Sequence, residues 1–413
     1  MFELRPYLIN GARRSGELLR DAGVTRDTIA NAYEREVRQI LRLGRARATR
    51  YAARQNLSGL GTDEFPVFRV DEAGGISPAG TLVTLVATES VWLPDENIID
   101  ELPPEMHDIT PRGFLGHSYA RHHRDLGLPE DVANWSDNHI LIALSRRGED
   151  LLGNLVVGRE SFDRFQNLQH ETHTANDFPA LSDAAIAGEH VGSSAGGEQP
   201  KFTAYVDGQH RIVKFATDAT DNARRWQDLL TLEHVALQTL RDAEIEVAET
   251  ELLDINGLRC LIINRFDRIG EMGRRAVMSL AAASEQVDGT WTDAAEGMQR
   301  RGELSDESLH RIALLDAYGA LIANTDRHQY NVSLFPAEGG YSVAPAFDQL
   351  PMAYAPPASG NLRNSANAAP RPAVNTLAIW GAAQELAAEF WRRASERHLS
   401  DSMQAIVREH ASR

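Results

Sequence analysis

The spacing of apolar residues is helical in the second half of the chain. From residue 221 to 241 they recur at intervals of three and four, which predicts a long helix whose buried stripe contains Trp226, Leu229, Leu230, Leu237 and Leu240. Glu233 falls on this stripe. Its carboxylate either faces the buried side, where it needs a cation, or lies partly exposed at the stripe's edge. Similar patterns predict a helix at about residues 305–323 and further helices from about residue 378 onward.

Two β-hairpins are predicted where apolar and polar residues alternate on either side of a turn. The first joins residues 202–206 to residues 211–215 through a turn at Asp207-Gly208. The second joins residues 332–335 to residues 341–344 through a turn at residues 338–340. Residues 65–187 mix candidate strands with an apolar helix near residues 139–144. This combination predicts an α+β protein.

The first sixty residues have the pattern of a winged helix-turn-helix. A helix from about Ser15 is followed by a turn at Gly23 and a second helix capped by Thr25, and a hairpin around Gly44 would form the wing. Such a unit lays its second helix in a DNA major groove and directs the wing to phosphates. The predicted DNA-binding residues are Thr25, Arg26, Arg42, Arg45, Arg47 and Arg50. A small domain with solvated arginines, or one that binds protein, is the alternative.

Charge and composition agree with this division. The chain of 413 residues has a net charge of −17, yet residues 1–60 hold twelve arginines against six acidic side chains. The length favours two or three domains. The single cysteine, Cys260, excludes an internal disulfide framework. Neither a signal peptide nor an apolar segment long enough to cross a bilayer is visible, so a cytoplasmic protein without a membrane partner is expected.

Lysine is scarce in this chain. Of its 42 basic residues other than histidine, only Lys201 and Lys214 are lysines. Lys201 ends a Gly- and Ser-rich loop at residues 192–201, and Lys214 lies on the second strand of the first hairpin. Glycines let backbone N–H groups approach an anion closely, and an ammonium group fits a narrow site around one phosphate oxygen. The pattern predicts a phosphate site; a flexible linker and a general drift from Lys to Arg are the alternatives.

A second polar group follows the helix predicted at residues 305–323. Asp326 and Asn331 have the spacing of the Asp and Asn of a protein-kinase catalytic loop, and the second hairpin then leads to Asp348. In kinases the Asp accepts the proton of the substrate hydroxyl, and the Asn and a later Asp bind Mg²⁺. Lys214 and Glu233 would be the ion pair that holds the α/β-phosphates. A metal bound by carboxylates would also suit a nuclease, which the lysine hairpin disfavours.

Together with Arg265-Phe266-Asp267-Arg268, these motifs occur in the order found in the HipA family of toxin kinases, which the chain resembles over roughly residues 65–413. The family's phosphate loop reads S-x-x-G-x-Q-x-K, here Ser194 to Lys201. The resemblance implies ATP and Mg²⁺ as cofactors, Asp326 as catalytic base, and autophosphorylation at Ser194, with Ser193 as the alternative. It implies nucleotide contacts at Gly196, Gly197, Glu198, Gln199, Pro200, Lys201, Lys214, Asn264, Arg265, Phe266, His328, Asn331 and Asp348. Glu233 would support these contacts as the partner of Lys214.

The predicted architecture is a bilobed, HipA/protein-kinase-like α+β fold preceded by the winged helix-turn-helix. Its domains are residues 1–60, an α/β lobe with the phosphate loop at 61–264, and a mainly helical kinase lobe at 265–413. The predicted function is an ATP- and Mg²⁺-dependent serine/threonine protein kinase that binds DNA through residues 1–60. The resemblance implies a protein substrate such as an aminoacyl-tRNA synthetase or another translation factor, and an antitoxin is a further candidate partner.

The alternative function is a DNA-binding transcriptional regulator whose kinase-like body senses nucleotide or is inactive. Glu198 favours it, because a carboxylate in the phosphate loop would repel the phosphates that the loop is meant to bind.

Overall fold

The computed structural model of the protein describes residues 1–93, 95–187, 199–286, 288–357 and 362–413. Within these ranges, no helix is both long enough and apolar enough to span a membrane.

The N-terminal unit consists of two helices and a small antiparallel sheet. After a 3-10 turn at Arg5–Leu8, its elements are β1 (Arg13–Arg14), α1 (Ser15–Ala22), α2 (Arg26–Glu36), β2 (Ile40–Leu43) and β3 (Arg50–Ala53). The sheet order is β1-β3-β2. Gly23 ends α1 in the left-handed conformation, and the Thr25 hydroxyl accepts a hydrogen bond from the Thr28 N–H (3.3 Å), which fixes the start of α2. Both predicted helices and the hairpin are confirmed.

Residues 64–166, here called the middle domain, form a second antiparallel sheet with helices on it. The strands are β4 (Glu64–Val70), β5 (Ile76–Thr84), β6 (Glu89–Leu93), β7 (Asn97–Asp100) and β8 (Leu155–Val157), in the order β7-β6-β5-β4-β8. The helices are α3 (Pro104–Asp108), α4 (Gly113–His122), α5 (Asp137–Arg147) and α6 (Arg159–Gln166). Phe65, Leu82 and Leu141 belong to the buried core of this domain. The next helix, α7 (Phe178–Ala187), packs instead with Phe202 and Val213 of the third sheet.

The N-terminal unit and the middle domain share a hydrophobic core. Leu41, Leu43 and Ala52 of the first sheet pack with Val83, Leu85 and Val91 of the middle domain, and all six are buried. Two acidic side chains reinforce the junction, since Glu89 accepts a hydrogen bond from the Ala12 N–H (2.8 Å) and Glu96 accepts one from the Gly44 N–H (2.9 Å). The first sixty residues are therefore packed onto the rest of the protein and not tethered to it by a linker.

A third sheet carries both lysines. It contains β9 (Thr172–His173), β10 (Lys201–Val206), β11 (Gln209–Thr217), β12 (Thr250–Ile255) and β13 (Leu258–Asn264), in the order β12-β13-β11-β10-β9. The long helix α8 (Asp221–Asp242) connects β11 to β12 and packs on the sheet. The lobe predicted at residues 61–264 thus holds two separate sheets; alternation along a strand does not reveal which strands pair with one another.

The C-terminal lobe is mainly helical. Its strands are β14 (Arg268–Ile269), β15 (Gly273–Arg274), β16 (Met278–Ser279), β17 (Ser333–Ala337) and β18 (Gly340–Val343). Its helices are α9 (Leu280–Ser284), α10 (Trp291–Arg300), α11 (Asp306–Leu321), α12 (Trp380–Ser395) and α13 (Asp401–Ala411), with 3-10 turns at Gln329–Asn331, Met352–Tyr354 and Val374–Ile379. Trp291, Tyr318 and Phe390 are fully buried in the core that α8 shares with these helices.

Candidate active site

A buried ion cluster joins the third sheet, α8 and the C-terminal lobe. The Nζ atom of Lys214 on β11 donates to both carboxylate oxygens of Glu233 on α8, at 2.7 and 2.9 Å, and also to Oδ1 of Asp348. The side chains of Lys214 and Glu233 are 6% and 0% exposed. The predicted pair is therefore a real ion pair, and Glu233 faces the buried side of its helix because a cation is there to meet it.

The charges in this cluster fix its protonation. Burial alone would lower the pKa of Lys214, but the carboxylates of Asp348 and Glu233 raise it above the ordinary lysine value. Burial alone would raise the pKa of Asp348, and the two ammonium groups of Lys214 and Lys201 hold it below its ordinary value. At neutral pH Lys214 is an ammonium and Asp348 a carboxylate.

Lys201 lies beside this cluster and has a different electrostatic balance. It starts β10 directly opposite Lys214 in the antiparallel register, and it is 2% exposed. Burial lowers its pKa to about 8, the charge of Lys214 adds to this lowering, and Asp348 opposes both. One of the two lysines therefore titrates close to physiological pH.

The loop after α11 places Asp326 and Asn331 close to Asp348. Asp348 has a left-handed backbone (φ 53°), and the Asn324 side chain donates to its carbonyl oxygen at 3.1 Å. The Oδ1 atom of Asn324 also accepts from the Asp326 N–H (3.0 Å), and the Asn331 amide donates to the Asp326 carbonyl oxygen (2.8 Å). This network ties the three predicted residues to one another through the backbone.

Neighbouring residues hold the same loop from behind. The Arg327 side chain donates from Nε to Oδ1 of the buried Asp316 on α11 (3.1 Å). The indole N–H of Trp291 donates to the carbonyl oxygen of His328 (2.9 Å). The imidazole of His328 lies with its Nε2 atom 3.9 Å from Oδ1 of Asp326, and both side chains are nearly half exposed. Asp326 thus reaches solvent from a loop that several hydrogen bonds hold in place.

Two adjoining cavities open at this cluster. One is lined by Gln199, Trp226, Glu233, Thr325, Asp326, His328, Leu350, Met352, Ala355 and Pro356. The other is lined by Asp108, Arg112, Leu152, Ile212, Ile263, Asn264, Arg265, Phe266, Asp267, Ser279, Tyr330, Ser333 and Phe347. Lys201, Lys214, Asn331 and Asp348 line both cavities. The charged cluster is thus the junction between the two cavities. The second has the more apolar surface and is called the apolar cavity below, and the first, which is relatively more polar, is called the polar cavity.

The tetrapeptide at residues 265–268 lies at the apolar cavity, but its charged side chains are largely occupied. Arg265 binds Asp267 with two hydrogen bonds (2.9 and 2.6 Å), and Arg268 donates to Asp267 (2.6 Å) and to Asp150 (2.9 Å). Phe266 instead packs beside Phe347, with ring centroids 5.8 Å apart. Any nucleotide contact at Asn264, Arg265 and Phe266 is therefore expected from Phe266 and from the backbone, and not from the Arg265 guanidinium.

A cation could be held where Asp348 and Asn331 meet. Carboxylate and amide oxygens are the hard ligands that Mg²⁺ prefers, and the Asn331 amide nitrogen is already bound to a carbonyl, which assigns its oxygen the ligand role. In the ranges that the structure describes, no three His, Cys, Asp or Glu side chains are grouped to hold a metal by themselves. The pair fits Mg²⁺ that receives further oxygens from a bound phosphate chain.

The remaining predicted residues are distributed as follows. Ser193, Ser194, Gly196, Gly197 and Glu198 lie outside the described residues. Gln199 and Pro200 lead into β10, where the Gln199 amide donates to the Phe215 carbonyl (3.0 Å) and the Pro200 carbonyl accepts from the Phe215 N–H (3.1 Å).

The predicted DNA-binding residues are not at this cleft. Thr25, Arg26, Arg42, Arg45 and Arg47 are exposed on the N-terminal unit. Arg50 is partly buried and donates to the Glu96 carbonyl oxygen at 2.7 Å, so part of its hydrogen-bonding capacity is used within the protein.

Sequence reasoning missed the contribution of the middle domain. Asp108, Arg112 and Leu152 line the apolar cavity, together with Tyr330 and Phe347 of the C-terminal lobe. No local motif marks the first three, because they reach the site only when the middle domain docks on residues far along the chain. For Phe347 and Tyr330, adjacency to Asp348 and Asn331 was an available signal.

Comparison with known proteins adds the following similarities. A family model described as the HipA-like C-terminal domain matches residues 193–413, and one described as the YjjJ-like toxin middle domain matches residues 61–166. The chain is 33% identical to Toxin YjjJ of Escherichia coli (strain K12), over 99% of this chain and 98% of that protein.

Among solved structures, the chain is similar to HipA of Shewanella oneidensis MR-1, solved with HipB and its operator DNA. The TM-score is 0.52 at 14% identity, covering 84% of this chain and 95% of that one, which is a likeness of fold.

Proposed function

The chain belongs to the HipA family of toxin kinases, through its HipA-like C-terminal domain and its whole-length similarity to Toxin YjjJ, and from this premise we propose that it is an ATP- and Mg²⁺-dependent serine/threonine protein kinase. One observation carries the proposal. Lys214 is far along the chain from Asp326, Asn331 and Asp348, yet Lys214, Asn331 and Asp348 line both cavities and Asp326 lines the polar one. A cationic end beside an apolar cavity suits a nucleotide, whose phosphates and base differ in this way.

Each side chain has a defined task in this proposal. Lys214, held by Glu233, contacts the phosphates, and Lys201 adds a second positive charge beside them. Asp326 accepts the proton of the acceptor hydroxyl, and its part-exposed carboxylate can receive that group from the polar cavity. Asn331 and Asp348 would hold Mg²⁺, which when bound neutralises phosphate charge. Positioning of the reacting groups and electrostatic stabilisation of the transition state account for the rate enhancement, as in other phosphoryl transfers.

The direct test is phosphate transfer by the full-length protein. Purified protein is incubated with γ-labelled ATP, with Mg²⁺ and without it, and its peptides are analysed by mass spectrometry. We expect Mg²⁺-dependent phosphate on Ser194, or on Ser193, because the family's phosphate loop contains the autophosphorylation site. If no phosphate is transferred either to the protein itself or to added translation factors, the proposal of an active kinase is wrong.

The second candidate function is a DNA-binding regulator with a nucleotide-sensing or inactive body. Glu198 in the phosphate loop favours it, because its carboxylate would repel the phosphates of ATP. The two functions are separated by the experiment above, since a sensor binds ATP without transferring phosphate. DNA binding itself is compatible with either function, and the HipA neighbour was solved with HipB and operator DNA, which supports an antitoxin as a further partner.

We expect nucleotide affinity to fall as Lys201 loses its proton. With a pKa of about 8 in the free protein, Lys201 is mostly protonated at pH 7.5 and mostly neutral at pH 9. If phosphates hold the protonated form, the dissociation constant of a non-hydrolysable ATP analogue should rise about tenfold between these pH values, with proton uptake on binding at pH 8.5.

Calorimetry in buffers of different ionisation enthalpy measures both effects. The matched variant is Lys201→Arg, which stays charged, so its affinity should be lower overall but flat over this pH range. If the nucleotide affinity of the wild type is equally independent of pH, Lys201 does not contact the phosphates.

We expect DNA binding to depend on the wing arginines and on salt. Replacing Arg42, Arg45 and Arg47 together by Gln should weaken binding and reduce the slope of log affinity against log salt by up to about 0.9 for each DNA phosphate that the variant no longer neutralises. Fluorescence anisotropy with duplex DNA at several salt concentrations measures this. Arg124 and Arg300, which are strongly exposed elsewhere, provide the control substitutions. Equal slopes for the variant and the control would argue against DNA binding by the wing.

A further inference from the structure

The middle domain forms part of the wall of the apolar cavity, and a buried carboxylate fixes it there. Asp108, at the end of α3, accepts hydrogen bonds from the Ser279 N–H (2.6 Å) and the Ser279 hydroxyl (2.5 Å). Asp108 is 5% exposed. Burial raises the pKa of Asp108, although both hydrogen bonds oppose the rise. Because a buried acceptor is costly to leave unpaired, this contact holds α3 against β16 in a single position.

The charged tetrapeptide fixes a second part of the same wall. Arg268 donates to Asp150 (2.9 Å) and to the Gly153 carbonyl oxygen (3.1 Å), while the Gly153 N–H donates to Asp267 (3.1 Å). Leu152 lies between these anchors and lines the cavity. The side chains of Asp267 and Arg268 therefore act by docking the middle domain onto the cleft.

Arg112 is the cationic side chain of this wall, and its hydrogen-bonding capacity is incompletely used. Its guanidinium carbon lies 4.0 Å from the centre of the Tyr330 ring, and one terminal nitrogen donates to the His107 carbonyl oxygen (3.0 Å). Its Nε atom is buried and has no acceptor among the residues that the structure describes. A buried donor is rarely left unpaired in a native site, so a ligand that brings an acceptor would complete it.

The position of Arg112 along the cavity indicates which part of a nucleotide it would meet. Ile212, Ile263 and Phe347 provide an apolar surface suited to a planar base, and Lys214 with Asp348 marks the phosphate end. The ring of Tyr330, on which Arg112 stacks, lies 6.1 Å from the ring of His328, which is beside Asp326 near that end. The hydroxyls of Ser279 and Ser333 line the same cavity. Arg112 and these two hydroxyls thus lie between the apolar surface and the phosphate end. The part of a nucleotide that fits between them is the ribose, which joins the base to the phosphates.

We propose that Arg112 of the middle domain donates a hydrogen bond to a ribose hydroxyl of the bound nucleotide and makes the site selective for ribonucleotides. This rests on the proposed function to the extent that the ligand is a nucleoside triphosphate. The middle domain is then a third wall of the nucleotide site, and Arg112 is a specificity-determining residue in it.

The test compares Arg112→Met with a matched control in the full-length protein. Arg275→Met removes an arginine that also stacks on an aromatic ring, that of Phe335 (4.8 Å), but does not line either cavity of the cleft. Dissociation constants are measured for a non-hydrolysable ATP analogue and for its 2′-deoxy and 3′-deoxy forms. For Arg112→Met we expect a loss of about tenfold or more with the ribonucleotide, the size of one charge-assisted hydrogen bond.

With one of the deoxy forms, the wild type and Arg112→Met should bind equally, because the acceptor is missing. A loss of the same size with all three nucleotides would overturn the assignment to the ribose. Unchanged affinity with slower phosphate transfer would overturn it too, because Arg112 would then act only by supporting Tyr330. Arg112→Lys is a second variant that keeps a cation over the Tyr330 ring, so it should fold normally, but it lacks the Nε donor. It should also bind the ribonucleotide more weakly than the wild type, which shows that the loss comes from the hydrogen bond and not from misfolding. Failure of the wild type to bind any of these nucleotides would overturn the proposed function as well.

Discussion

Replacing Asp326 by Asn should lower the rate of phosphate transfer by about two to three orders of magnitude, the effect of losing one preorganised catalytic group. The amide keeps the size of the carboxylate but cannot accept the proton of the acceptor hydroxyl. Nucleotide affinity should stay the same or rise, because a negative charge near the phosphates is removed. Single-turnover transfer from labelled ATP measures the rate, and calorimetry with a non-hydrolysable analogue measures the affinity.

The local structure allows this substitution. The Asp326 backbone is held by Asn324 and Asn331, and its side chain is nearly half exposed, so the variant should fold normally. Asp401→Asn, an equivalent change at an exposed residue at the start of α13, is the control and should be fully active. Wild-type transfer by Asp326→Asn would show that another group removes the proton.

Replacing Lys214 by Met should abolish detectable transfer and also destabilise the protein. The substitution leaves the Glu233 carboxylate buried without its cation, with the Asp348 carboxylate beside it. Removing one member of a buried ion pair costs about 3–5 kcal/mol in the free energy of unfolding. Urea denaturation monitored by tryptophan fluorescence measures the loss.

A second substitution tests the cause of that loss. In the double variant Lys214→Met, Glu233→Gln, most of the stability should return, because the unpaired charge is gone, whereas activity should not. Arg300→Met removes an exposed ion pair with Glu296 and should change the free energy of unfolding by less than about 1 kcal/mol. If Lys214→Met unfolds at the same urea concentration as the wild type, the buried cluster does not stabilise the fold.

The sequence predicts the local elements of this protein well, because each rests on a strong local signal. The stripe in α8 is long enough to define a helix of the observed length, and the Asp207-Gly208 turn fixes the hairpin that sets Lys201 opposite Lys214. The pairing of Lys214 with Glu233 follows from the position of Glu233 on that stripe. Asp326, Asn331 and Asp348 were found because their spacing reflects a loop and a hairpin.

Contacts between units were beyond the reach of local patterns. Asp108 and Ser279 are 171 residues apart, so no periodicity connects them. The resemblance implied that the tetrapeptide at residues 265–268 lies next to the nucleotide, yet the structure uses the charges of Asp267 and Arg268 to dock the middle domain. Leu41 and Leu43 alternate with polar residues as the buried face of a small hairpin does. Only the structure shows that the middle domain covers them. Each miss is a case in which burial is completed by a distant partner.

The core shared by the first two sheets has a consequence for the fate of a damaged chain. If a protease cut away the first sixty residues, Val83, Leu85 and Val91 would lose the side chains that cover them. A newly uncovered apolar sheet face is a substrate for chaperones and a seed for aggregation. A molecule that has lost its arginine-rich N-terminal unit would therefore be degraded as a whole. Truncated molecules that keep only the remaining domains should not accumulate in the cell.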